Sequence, residues 1–466
     1  MPATLLDRLW DAHSVERFDD GSALLYVDRL LLYELTAPPA FAGLRRRGLP
    51  VRNPHAALAV ADHSVSTLAD RTIDSVSSMG QHLRALARDA SAAGIAHLGI
   101  DDPRQGIVHV VAPESGWVLP GISVVCGDSH TCTLGALGAL AIGVGSSDLE
   151  QALATQTVRL KKPAAMRIAI DGCRAPGVFA KDVALHLLHA LGTRAGEGAA
   201  IEYAGAAVAE FSVEERLTLC NLTAELGSRI GLVAPDATTL RYVAARPLAP
   251  PDGELAAAAA QWLELRSDAD AEFARDVAID AGAIAPRITW GTTPAQSIAI
   301  DGHLPRLADA TPDLLAQWRA AYEYMALREG GRLLGERIDV VFIGSCTNSR
   351  LSDLQAAARV VRGRRVAKHV RALVVPGSEA VRRAAEAEGL DEVFRAAGFE
   401  WRRAGCSMCV AANDDRVGAG ERCVSTSNRN FPNRQGRAAR THLASPATAA
   451  ACSIAGEVAD VREFLR

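Results

Sequence analysis

The chain predicts an α/β fold in which mostly parallel sheets are covered by helices. Three observations carry this. Short apolar runs that end in glycine or polar turns alternate with helical patterns along the chain. Aromatic residues make up only 5% of a chain that is 49% hydrophobic, so the core must be built from Ala, Val, Leu and Ile. Clusters of Asp, Ser, His and Cys stand just past the apolar runs, at the carboxyl ends of strands where such sheets gather ligands.

In chain order, the apolar run Ala56 to Ala61 leads into Asp62-His63-Ser64, where a carboxylate beside an imidazole can orient the ring and raise its basicity. His109 lies in Gly-Ile-Val-His-Val-Val, which reads as an apolar strand; alone such a histidine is more often a satisfied core residue than a catalyst. Ile122 to Cys126 is a buried strand that runs into Gly127-Asp128-Ser129-His130. Ser147-Asp148-Leu149-Glu150 reads as a capping box opening a helix to about Leu160. After the Lys161-Lys162-Pro163 break, Met166 to Ile170 is again a strand. Asn221 and Glu225 share one face of a helical pattern. Pro247 to Ala260 reads as a surface loop entering a helix, and Thr311-Pro312-Asp313 as a helix start. Val340 to Ile343 is a buried strand that delivers Cys346 just past its end. The basic stretch Arg362 to Arg371 reads as a solvated helix face or turn. The breaks divide the 466 residues into three α/β domains, 1–163, 164–287 and 288–466.

A net charge of −4 gives no reason to expect a nucleic-acid or membrane partner. The apolar stretch Leu134 to Gly145 is short and glycine-rich, and cannot span a bilayer. Nine cysteines without a disulfide framework, and an N-terminus without a basic start and apolar run, fit a cytoplasmic protein.

Three cysteines carry the chemistry. Cys406 and Cys409 form Gly-Cys-Ser-Met-Cys, and Cys346, in Gly-Ser-Cys-Thr-Asn-Ser, lies 60 residues upstream of Cys406. A C-x-x-C alone is weak: it is equally half a zinc site, a redox pair or chance. Structural zinc needs four ligands, and no second C-x-x-C exists. Three thiolates on a cubane iron–sulfur cluster leave one iron open, a Lewis acid for a hydroxyl and a carboxylate. Near the C-terminus, Asn428-Arg429-Asn430-Phe431-Pro432-Asn433-Arg434 places two arginines, the natural bidentate partners of carboxylates. Together with the His, Asp and Glu groups, this is a kit for removing and re-adding water on a hydroxy-dicarboxylic or tricarboxylic acid.

These segments resemble the aconitase superfamily, and within it the large-subunit family of isopropylmalate dehydratases. The resemblance covers essentially the whole chain. Its most specific stretches are Leu9 to His13, Asp62 to Thr67, Gly106 to His109, Val125 to Thr131, Gly231 to Asp236, Gly344 to Ser349, Gly405 to Cys409 and Ser425 to Gly436. It implies a three-domain α/β fold around a [4Fe-4S] cluster with one labile, substrate-binding iron, ligated by Cys346, Cys406 and Cys409. It implies that Asp62 with His63 manages the leaving hydroxyl, that His109 with Asp128 forms a second orienting pair, and that His130 and Glu225 hold the water. Ser129, Arg429 and Arg434 fall at positions for substrate carboxylates. Asn221, Asn348 and Asn428 resemble donors beside the cluster. The swivelling fourth domain of aconitases is not in this chain, so the resemblance implies a separate small subunit that carries it, in a heterodimer or larger assembly.

Three departures bear on the substrate. The family segment His-Glu-Val-Thr-Ser-Pro-Gln-Ala-Phe is Tyr33-Glu34-Leu35-Thr36-Ala37-Pro38-Pro39-Ala40-Phe41 here. Tyr33 thus stands near the substrate in place of a histidine, Ala37 and Pro39 replace two polar residues, and Ser64 replaces an asparagine. The leading expectation is isomerisation of 2-isopropylmalate to 3-isopropylmalate through the dehydrated intermediate, in leucine biosynthesis. The alternative is the same chemistry on another 2-substituted malate, such as citramalate, homocitrate or a benzylmalate. Two readings from other classes, a cluster-free RNA-binding protein and a zinc-bound structural protein, find little support: charge and aromatic-basic patterning oppose the first.

Overall fold

The computed structural model describes residues 2–76 and 79–465. By Cα proximity the chain gathers into two compact units. One comprises Met1–Ser64, Ser77–Cys173 and Arg194–Asp280, the other Val65–Val76, Arg174–Thr193 and Ala281–Arg466.

The first unit holds a five-stranded, wholly parallel sheet in the order Ala96–Leu98, Ala57–Val60, Arg29–Tyr33, Ser123–Cys126, Leu140–Gly143. Its central strands are continuous apolar runs, because helices cover both faces of a parallel sheet. Tyr33, Val60 and Cys126 therefore end three neighbouring strands at one end of the sheet, and within two residues past them stand Glu34, Asp62 and Asp128. The same unit has a four-stranded parallel sheet, Gly231–Leu232, Ala199–Ala204, Ala164–Asp171 and Arg275–Asp280, and an antiparallel sheet of Ser14–Arg17, Ser22–Tyr26 and Thr157–Lys161. Its core is mainly aliphatic, with Trp10 and Phe41 among leucines that run from Leu5 and Leu9 through Leu30 and Leu32 to Leu149 and Leu232.

The second unit is built on a five-stranded parallel sheet, Glu400–Trp401, Arg371–Val374, Val340–Ile343, Arg422–Ser425, Arg440–Leu443. Helices Leu351–Val361 and Pro446–Ala455 pack on one another beside the central strand. A hairpin pairs Arg287–Thr289 with Ser297–Ala299. Among the described residues no helix is long and apolar enough to cross a membrane.

The predicted α/β class, parallel sheets and individual strands at Ser123–Cys126, Ala164–Asp171 and Val340–Ile343 are present. So is the helix at Pro312–Met325, with Pro312 in its first turn. Three local readings need correction. The helix expected to reach Leu160 spans Ser146–Thr155; Gln156 turns left-handed (φ 55°), and Thr157–Lys161 leaves as a strand. Its start is closed by Asp148 accepting from the Gly145 N–H at 3.2 Å, not by a Ser147 box. His109 stands in a helix, Val108–Ser115, not in a strand. Glu225 lies on a short 3-10 turn, Ala224–Leu226, after helix Val213–Asn221 has ended, so Asn221 and Glu225 do not share a helix.

Candidate active site

The predicted residues fall into two groups, one in each unit. In the first unit, the chain leaves strand Ala57–Val60 and turns at Asp62-His63-Ser64. Asp62 is fully buried. Its Oδ2 lies 3.3 Å from His63 Nδ1 and accepts from the Val108 N–H at 3.2 Å. That bond ties the turn to the start of the helix bearing His109. Asp128 is the hub. Its Oδ2 lies 3.6 Å from His63 Nε2, and its Oδ1 lies 3.3 Å from His109 Nε2 and 3.3 Å from His130 Nδ1. The same Oδ1 accepts the His130 N–H at 2.7 Å and caps the 3-10 turn that follows. Glycine at 143 permits this arrangement, since a Cβ there would stand 2.5 Å from the Asp128 carbonyl oxygen. His130 Nε2 then reaches Glu225 Oε1 at 3.1 Å. Asp62, His63, Asp128, His109, His130 and Glu225 thus form one continuous chain of imidazoles and carboxylates.

The charges explain its protonation. Burial alone would lower the His63 imidazole, but Asp62, Asp128 and Glu34 outweigh it and hold His63 at about 10. Burial opposes ionisation of Asp128 too, yet His109 and His130 bring its carboxyl well below the usual carboxylate range. The neutral-pH state is a charged imidazole between carboxylates.

Tyr33 ends its strand with its ring centroid 4.7 Å from that of His63, tilted by 32°. Its hydroxyl donates to the Gly127 carbonyl at 3.3 Å. Burial, with Asp128 second, pushes the phenol pKa up, so Tyr33 stays neutral. Ser129 is exposed on the turn beside Asp128. The Asn221 amide donates to Thr133 Oγ1 at 2.9 Å.

In the second unit, Cys346 follows strand Val340–Ile343 past Gly344-Ser345, with Ser345 left-handed at φ 78°. Cys406 precedes and Cys409 ends a 3-10 turn, Ser407–Cys409, in which Ser407 is left-handed at φ 50°. Two non-glycine residues in that region beside the three thiols mark backbone held by its surroundings. The ties are visible. Arg71 donates to the Ala404 carbonyl at 2.6 Å, Ser407 Oγ to Asp415 at 2.8 Å, and Gln435 Nε2 to the Met408 carbonyl at 3.0 Å. Asn428 bridges two thiols: its Nδ2 is 3.3 Å from Cys346 Sγ, and Cys409 Sγ is 3.7 Å from its Oδ1. Lys181, fully buried, donates to the carbonyls of Thr426 and Ser427 and so anchors the segment that carries Asn428.

These residues fit a three-thiolate cluster. Cys346, Cys406 and Cys409 are 5%, 1% and 2% exposed, none is in a disulfide, and the Asn428 amide links Cys346 with Cys409. The hydroxyls of Ser345 and Ser349, close to Cys346 in sequence, and of Ser427, next to Asn428, are buried with no hydrogen-bond partner among the described residues. Three soft donors suit a cubane with one open iron, whereas tetrahedral zinc needs four ligands. Of the nine cysteines, only Cys173 is exposed.

Asn348 donates to Asp353 Oδ1 at 2.9 Å, at the start of helix Leu351–Val361. Arg429 and Arg434 are both partly buried. The Arg434 guanidinium lies 5.2 Å from the Phe431 ring centroid, and its buried Nε finds no partner among the described residues, which suits an anion. Sequence reading passed over Glu34, Asp415 and Lys181. A charged residue directly after an apolar strand was the available signal for Glu34; the other two take their meaning from distant partners. A cavity of about 540 Å³ at the ends of Ala199–Ala204 and Gly231–Leu232, lined by Arg216, Asp236 and Glu264, includes none of the predicted site residues.

The model of the aconitase family (aconitate hydratase) matches residues 7–456. The chain is 52% identical over 464 residues to the 3-isopropylmalate dehydratase large subunit 1 of Bradyrhizobium diazoefficiens, covering 99% of this chain and 97% of the relative. Among solved structures, the holo-form of aconitase X from Thermococcus kodakaraensis aligns over 92% of this chain and 90% of that one, at a TM-score of 0.45 and 13% identity, too distant to carry residues across.

Proposed function

Because the chain belongs to the aconitase family, we propose that it is the catalytic large subunit of a hydro-lyase that isomerises 2-isopropylmalate to 3-isopropylmalate by dehydration and rehydration, in leucine biosynthesis. The observation that carries the chemistry is the unbroken chain from Asp62 through His63 and Asp128 to His130 and Glu225. The substrate rests on the similarity to the dehydratase large subunit.

A [4Fe-4S] cluster held by Cys346, Cys406 and Cys409 would supply one open iron as a Lewis acid for the substrate hydroxyl and carboxylate. The protein's own residues do the rest. His63, protonated at neutral pH, gives its Nε2 or Nδ1 proton to the departing hydroxyl, and Asp62 and Asp128 stabilise its charge before transfer. His109 holds Asp128 in place from the other side. Glu225 orients His130, and the pair holds the released water for re-addition at the neighbouring carbon. Arg429, Arg434 and Ser129 bind the two carboxylates. Asn428, with Asn221 and Asn348, supports the thiolates and the residues beside them. A base from a small subunit removes the carbon-bound proton, and the two chains work as a heterodimer or larger assembly. We further propose three domains, 1–163, 164–287 and 288–466; one parallel sheet falls within each span, while Cα proximity gathers the chain into two units.

Tyr33 favours a second reading. Its ring covers His63 where the family has a histidine, and a larger neutral side chain alters the shape offered to the substrate. The alternative is the same dehydration on citramalate, homocitrate or a benzylmalate. The test is anaerobic reconstitution with iron, sulfide and the cognate small subunit, following absorbance of the unsaturated intermediate for each malate. Preference for 2-isopropylmalate supports the first reading; preference for another malate replaces it with the second; no turnover of any malate overturns both.

A further inference from the structure

Glu34 is a buried carboxylate that the chemistry above does not use. It follows strand Arg29–Tyr33 directly and is 0% exposed. Its two oxygens are both occupied. Oε2 accepts the Asp62 N–H at 3.0 Å, and Oε1 accepts the Ser64 N–H at 2.6 Å. Those N–H groups belong to the residues on either side of His63. A single carboxylate therefore spans the turn like a staple, from the neighbouring strand of the same parallel sheet. Burying a carboxylate is costly, and a stable turn can satisfy its N–H groups with a serine, an asparagine or water. Burial first and then Asp62 raise the pKa of Glu34, and His63 only partly offsets them. A group kept at that cost, with each oxygen accepting from one three-residue turn, is there for the geometry of that turn.

We propose that Glu34 is a positioning residue for the dehydration: it braces the N–H groups of both residues flanking His63, so that the imidazole meets Asp62 and Asp128 already aligned. The proposal rests on the reading that His63 moves the proton. The adjacent strand end adds a second constraint, the Tyr33 ring against the His63 imidazole, so Tyr33 and Glu34 hold the residue between them by its side chain and its backbone.

The experiment is amide hydrogen–deuterium exchange of the reconstituted, anaerobic complex, reading peptides that cover Ala57 to Val65, alongside kinetics of the same sample. In the wild type the Asp62 and Ser64 amides should exchange slowly. In Glu34→Gln, whose amide NH2 meets one of the two N–H groups head-on, exchange there should rise about tenfold or more. Peptides over Ala164–Asp171 should not change, which separates a local effect from general loosening. kcat should fall about tenfold to a hundredfold with KM within about threefold, as misalignment rather than lost binding requires. Glu34→Asp keeps the charge but is one methylene short of spanning both amides, and should resemble Gln. Fast exchange of Asp62 and Ser64 in the wild type overturns the proposal without any variant, even if Glu34→Gln fails to fold. Full activity of Glu34→Asp overturns it too, because charge and not bracing would then suffice. If the wild-type complex turns over no malate, the functional reading fails while the exchange result still decides the bracing.

Discussion

Three carboxylates surround the one imidazole of His63, and this is why a histidine can serve as an acid above neutrality. Replacing it with asparagine removes the proton and leaves Asp62 and Asp128 facing each other. His63→Asn should lower kcat by about 10²–10⁴-fold with a far smaller change in KM; steady-state kinetics on the reconstituted pair would refute the role if kcat stayed near wild type. His442 shows the opposite case. It is fully buried, with Nδ1 2.6 Å from the Thr289 carbonyl and Nε2 2.8 Å from Arg422 Nη1. Arg422 donates, so Nε2 accepts and Nδ1 carries the proton. Burial first, then Arg422, lower its pKa from 6.5 to about 3. The unfolded chain therefore takes up this proton first as the pH falls. Stability from neutral His442 is complete above 6.5 and is lost as the pH drops from there toward 3. Urea unfolding of wild type and His442→Gln at pH 7 and at pH 4.5 should show the gap between them shrinking at the lower pH; an equal gap would refute this titration.

At the scale of elements, legibility followed chemistry that repeats locally. The strand Val340–Ile343 was readable because both its faces are apolar, and the cysteines past its end because parallel strands deliver their chemistry there. The helix at Val108–Ser115 was not. Val-His-Val-Val favours a strand by side-chain type, but the Asp62 carboxylate, far away in sequence, receives the Val108 N–H and starts a helix instead. Glu225 was picked out as a site residue yet placed on the wrong kind of element, because its partner His130 comes from another part of the chain. The bracing by Glu34 and the Lys181 anchor were illegible for the same reason: they join residues that only folding brings together. The thiol-bearing turns give a prediction of this kind. Asn428 touches two of the three thiols, so Asn428→Ala should lose iron to a chelator about 10–100-fold faster than wild type, at nearly unchanged thermal stability. Equal rates of iron release would remove Asn428 from that role.

At the scale of the whole molecule, three parallel sheets of mainly Ala, Val, Leu and Ile account for a 466-residue chain with few aromatic residues. The fold class was therefore visible in composition and alternation alone, whereas the grouping of segments was not: Val65–Val76 and Arg174–Thr193 gather with the C-terminal half, which no compositional shift announces. The proposed dependence on a small subunit is tested at this scale. The isolated chain, reconstituted with iron and sulfide, should run at about 10²-fold or more below the two-chain enzyme, the contribution expected of an absent base. Comparable turnover without the partner would show that this chain holds every group the reaction needs.

The distribution of thiols offers a handle for that experiment. Eight of the nine cysteines are buried and Cys173 alone faces solvent, in the loop after strand Ala164–Asp171. A maleimide dye applied briefly to the native chain should attach at one position, without any cysteine being engineered in or out. The label sits outside the residues assigned to chemistry, so its fluorescence polarisation can report docking of the second chain while the thiols proposed to hold iron stay untouched.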